Sequence, residues 1–141
     1  MQVPALSRVA HLVRRFFQVL FARPLTAAES AHVAAVLDGS RRSLFDAQDV
    51  ADQRHAIAVF HRVAAATADV TAREAALLHD IGKTGLGLGA MRRTVVTVAG
   101  AAHLPMTSRM RAYLDHGRVG AARLAAAGCA PLVIDFARRH P

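Results

Sequence analysis

The chain has no tryptophan, one tyrosine (Tyr113), one cysteine (Cys129) and a single lysine (Lys83) in 141 residues. A lone cysteine excludes an intrachain disulfide and fits a reducing, cytoplasmic setting. Scarce aromatics exclude a thick aromatic core, and the 31 alanines imply closely packed helices instead. Acidic residues are also few: 10 Asp and Glu against 18 Lys and Arg leave a formal charge of +8. That balance points to an anionic partner: nucleic acid, a phosphorylated small molecule or a membrane surface. The arginines are scattered pairs with no long basic run or interleaved aromatics, so nucleic acid is admitted by charge but not favoured. Long apolar runs are missing too. The longest uncharged run, Thr94 to Ser108, holds His103 and Pro105 and is too short for a bilayer. Phe16 to Ala22 follows Arg14-Arg15 but stops at Arg23 without a cleavage signal. A soluble, cytoplasmic protein with no membrane partner is expected.

What is present reads as helices throughout. Val9, Leu12, Val13, Phe16, Phe17 and Leu20 recur at helical spacing, and the helix they form is expected to pack on the protein's own core until Pro24 ends it. Thr26 and Glu29 form a capping box for a second helix carrying Val33, Val36 and Leu37 and stopping at Asp38-Gly39. Leu44-Phe45 begins a short irregular or helical link. A third helix, capped by Asp49 or Asp52, runs to about Thr67 with Ala56, Ile57, Val59, Phe60, Val63 and Ala64 inward; His55 edges that face and His61 points away. Thr71 and Glu74 form a second capping box, opening a short helix that ends in His79-Asp80, with Gly82 supplying a left-handed turn. Met91 to Ala102 is expected to be helical. A long helix from Ser108 to Ala127 buries Met110, Tyr113, Leu114, Gly117, Ala121 and Leu124, with room beside the His116 ring at Gly120, and Gly128 ends it. Pro131 opens a last helix with Leu132, Val133 and Phe136. The fold class is therefore all-α: one compact bundle of six to seven helices, with residues 1–48 packing on a core of 49–141.

The chemistry concentrates at Ala75-Ala76-Leu77-Leu78-His79-Asp80-Ile81-Gly82-Lys83. A neutral imidazole and a carboxylate side by side suit several divalent ions. His55, His116 and His140 lie on other helices, and a helical bundle can point such residues into one pocket. The Gly-rich loop from Thr84 carries no phosphate-binding signature. Leu77 stands where a P-loop needs glycine, and Gly85, Gly87 and Ala90 follow a helix, not a strand.

From Asp52 onward the chain resembles the HD-domain metal-dependent phosphohydrolase superfamily, of HDIG type. The matching stretches are Asp52-Gln53-Arg54-His55, Leu77 to Lys83, and Tyr113-Leu114-Asp115-His116-Gly117-Arg118-Val119-Gly120-Ala121, with the segment to His140 similar as well. The resemblance implies an all-α fold and hydrolysis of a nucleotide or other small phosphate ester. It implies His55, His79 and Asp80 as metal ligands, His116 and His140 as further ones, and Lys83 beside Asp80 in catalysis as a contact to the substrate phosphate. One or two divalent ions per chain are expected, Mn, Fe, Co, Ni or Zn. The superfamily's last ligand is commonly an aspartate. Asp135 is the late candidate, but five residues before His140 it points about 140° away on one helix, making it the less favoured alternative. The alternative function is a catalytically degenerate module that binds a nucleotide or a protein partner.

Overall fold

The computed structural model of the chain describes residues 5–86, 96, 103, 105 and 107–140. Among them there is no strand. Eight α-helices appear, α1 (Ala5–Leu20), α2 (Ala27–Val36), α3 (Gly39–Asp46), α4 (Val50–Ala66), α5 (Val70–Leu78), α6 (Ser108–Leu114), α7 (His116–Ala126) and α8 (Pro131–Arg139), with a 3-10 turn at Ile81–Lys83. The fold is all-α, as expected, with more helices than expected for two local reasons. The Leu44-Phe45 link belongs to a full helix, α3. The single helix over 108–127 is broken at Asp115, where φ −98 and ψ 18 leave the helical region between α6 and α7.

The centre of the molecule is α5. Ala75, Ala76, Leu77 and Leu78 are all buried. A helix apolar on every side must be enclosed, and α5 packs on α4 and α8, with α2 and α3 also against it. Glu74, midway along it, is buried opposite Arg41 at 3.5 Å. The Thr71–Glu74 capping box therefore does not form; Asp69 caps α5 by accepting from the Thr71 amide. The Thr26–Glu29 box forms in full. Val33, Leu37, Phe45, Ala56, Ile57, Phe60, Leu124 and Val133 complete the core.

Three apolar faces differ from the pattern in the sequence. Leu114, Leu132 and Phe136 are exposed, while Val133 and Ala137 take the core positions of α8. On α1, Val13, Phe17 and Leu20 are exposed as well. The helix expected over Met91–Ala102 lies outside the described residues apart from Val96, which is helical and buried beside Tyr113, Leu86 and Met110.

Candidate metal centre

Four helical segments converge below the C-terminal end of α5. His79 ends that helix in αR geometry, and Asp80 opens the 3-10 turn. The turn lies against α7 at a close backbone approach. A Cβ on Gly82 would fall 1.8 Å from the His116 carbonyl oxygen, and one on Gly120 would fall 3.1 Å from the Gly82 amide nitrogen. Gly82 is absent from the positive-φ residues, so it is not the left-handed turn expected of it; it is there because no side chain fits. Gly120 likewise admits the Gly82 backbone and not, as expected, the His116 ring. Gly128, with φ +70, is the left-handed helix stop. The guanidinium of Arg123 donates to the carbonyls of Ile81 (3.1 Å) and Thr84 (3.2 Å), bracing the turn from α7.

The last contributor, His140, follows α8. A Cβ on Gly117 would meet the carbonyl oxygens of Ala137, Arg138 and His140 at 2.9–3.0 Å, so this glycine lets α7 seat the end of α8. The ligand atoms of His55, His79 and His140 all lie within 4.8 Å of one another. The His79 and His140 rings are 4.4 Å apart, and those of His55 and His79 5.3 Å. Asp80 sits beside this triad. Its Oδ2 is 3.5 Å from His79 Nε2 and 3.9 Å from His55 Nε2, while its Oδ1 is 3.3 Å from His116 Nε2. His79, Asp80 and His116 are buried, whereas His55 and His140 are partly exposed and form the mouth. Phe136 stands at that mouth, 6.0 Å from both the His79 and His140 rings.

The tautomers follow from the hydrogen bonds. A carbonyl can only accept, so His79 Nδ1–H donates to Ala76 O (2.8 Å) and His116 Nδ1–H to Tyr113 O (2.7 Å). Burial pushes His79 down to about 4, so its ring is neutral at pH 7 and Nε2 carries a lone pair. That lone pair faces a carboxylate oxygen, an acceptor against an acceptor. His79 Nε2, His116 Nε2 and Asp80 Oδ1 are all buried without a hydrogen-bond partner. Such groups are costly unless something positive lies among them. Burial alone would raise Asp80, but the Lys83 ammonium 2.7 Å away outweighs it and holds the carboxyl well below the usual carboxylate range. The donor set, three imidazoles and one carboxylate, therefore fits a borderline divalent metal, and the second bond of each buried imidazole is the kind that orients metal-binding histidines.

Of the residues singled out in the sequence, His55, His79, Asp80 and His140 are brought together, with His116 on the far side of Asp80. Asp135 is not: it pairs with Arg138 at 3.2 Å on the surface. His61 is exposed, its ring against His32 and Phe60. Lys83 differs from its expected place over the pocket. It is buried, its Nζ 2.7 Å from Asp80 Oδ2 and 6.0 Å from the Tyr113 ring centre. Sequence reasoning missed Arg123, the seating of α8 on Gly117, and Gln48, whose side-chain amide donates to Leu77 O at 3.4 Å. Their spacing carries no local signal, because each acts across tens of residues. Comparison of the chain with protein-family models, with curated proteins and with solved structures finds no match.

Proposed function

We propose that the protein is a metal-dependent phosphohydrolase of the HD type, acting on a nucleotide or another small phosphate ester. The observation that carries this reading is the convergence of His55, His79 and His140 within 4.8 Å beside the buried Asp80, with orphaned acceptor atoms turned inward. The HDIG-type motif at His79 to Lys83 supports it independently. His55, His79, Asp80 and His140 would hold the metal, with His140 in the role a late aspartate commonly fills in that superfamily. A bound divalent ion would supply Lewis acidity and an acidified water. The chain's own part is to fix its donors. Ala76 O and Tyr113 O hold the two buried rings in one tautomer, and the Gly82–Gly120 contact fixes Asp80 against α7. The exposed edges of His55 and His140 leave access from solvent. Lys83 keeps Asp80 ionised and places one positive charge where phosphoryl charge would build.

A second reading, a non-catalytic module binding a nucleotide or protein, is favoured by one observation: Lys83 is engaged with Asp80 and not projecting toward solvent. The test is elemental analysis of protein purified without a chelating column, followed by assay of nucleotides and generic phosphate esters with Mn, Fe, Co, Ni and Zn. Near-stoichiometric metal and turnover of at least one ester are expected. Tight ester binding without turnover supports the second reading, and wild-type protein that cannot be loaded with metal overturns the metal-dependent phosphohydrolase.

A further inference from the structure

The apolar face of α1 is only partly used by the fold. At about 100° per residue, Val13, Phe17 and Leu20 fall within one narrow sector, with Phe16 beside it and Arg14, Gln18 and His11 on the other side. α1 packs principally against α4. Phe16 and Val19 are half-buried, but Val13 is 49% exposed, Phe17 50%, Leu20 53% and Phe21 69%. Phe17 and Phe21 stack on each other at 6.0 Å with planes 3° apart, so the strip continues past the helix end as a joined aromatic edge. The segment's charge is one-sided. Arg8, Arg14, Arg15 and Arg23 occur before the first acidic residue of the chain, Glu29. The segment is also tied to the body, because Arg54 on α4 donates to the carbonyls of Arg23 and Pro24 and pairs with Glu29.

We propose that α1 is a reversible docking surface for an anionic lipid bilayer, lying in the plane of the interface with Val13, Phe17, Leu20 and Phe21 inserted and the exposed Arg14 and Arg23 at the phosphates. A strongly amphipathic helix of low overall hydrophobicity with Phe and Leu on one face and Arg elsewhere has this chemistry, and basic residues at an anionic surface add to it. A second copy is the poorer occupant. A symmetric contact would bring two segments of the same sign together in a chain already at +8. The helix is about 24 Å long and no described helix is long and apolar enough to cross a membrane, so the association is peripheral. It is independent of the chemistry proposed for the histidine cluster.

The chain has no tryptophan, so F17W introduces a single one at the strip, excited selectively at about 295 nm. Full-length protein is mixed with vesicles of phosphatidylcholine alone or with about one third phosphatidylglycerol, and binding is read by flotation and by F17W emission. Binding to anionic vesicles at least about tenfold tighter than to neutral ones is expected, with a blue shift, and it should weaken as salt rises. R14E should weaken binding about tenfold and leave the fold intact. The double variant F17S/F21S should abolish it with unchanged circular dichroism, whereas L114S, at another exposed leucine, should not. Retained binding in F17S/F21S means adsorption of a basic protein by charge alone and overturns the proposal. Absent vesicle binding overturns it too, and self-association lost in F17S/F21S would then assign the strip to a second copy.

Discussion

At the level of single residues, the cluster divides His140 from Asp135 sharply. His140 faces His79 across 4.4 Å, while Asp135 is occupied by Arg138 outside. H140A should therefore lose most bound metal and D135A should keep it, measured by elemental analysis after dialysis. Equal retention in both would remove His140 from the centre. Lys83 is expected to matter to the fold as well as to substrate. With Asp80 buried beside it, K83A leaves a carboxylate without its closest charge and should cost the metal-free protein about 3 kcal/mol in urea unfolding. K83A protein as stable as wild type would show that Asp80 is compensated elsewhere. His79 gives a pH signature in chelated protein. Its ring is held neutral down to about 4 when folded and titrates near its ordinary 6.5 when unfolded. The unfolded chain thus binds the extra proton first. Stability is full above 6.5 and is lost as pH falls toward 4, by roughly 3 kcal/mol from this ring. In H79Q, thermal melts across that window should flatten; an unchanged slope would place the titration elsewhere.

Among the elements, the 3-10 turn and α7 behave as one unit. Gly82 and Gly120 let two backbones touch, and Arg123 ties off two carbonyls of the turn. G82A must displace the His116 carbonyl, so it should destabilise by at least about 2 kcal/mol and reduce metal content at the same time. G128A meets open space and suffers only its positive φ, so about 1 kcal/mol is expected with metal retained. The contrast between the two variants checks whether close approach, and not turn conformation, is what shapes the centre.

On the scale of the whole molecule, α5 is enclosed and carries the buried half of the cluster, whereas α4 and α8 bring His55 and His140 to its open side. The centre therefore sits where three packed helices end or pass, and its exposed rim is aromatic and imidazole, not acidic.

Much of this was legible from residue order alone. Helical periodicity, the Thr26–Glu29 capping box, and Gly128 and Pro131 at helix boundaries are local effects, set within a few residues of chain, and they determined an all-α fold. The His79-Asp80 pair was legible for the same reason: adjacent residues need no fold to be neighbours. What tertiary structure decided is everything that depends on distance across the chain. Glu74 looked like a cap and became a buried partner of Arg41, because α3 packs there. Gly82 looked like a turn and proved to be a contact, because α7 crosses it. Lys83 looked free and was drawn inward by Asp80, and His140, with nothing local to mark it, was brought to His79 by the seating of α8 on Gly117. A sequence pattern encodes period and propensity; which two faces meet, and which charge is left without water, is settled only when the helices pack.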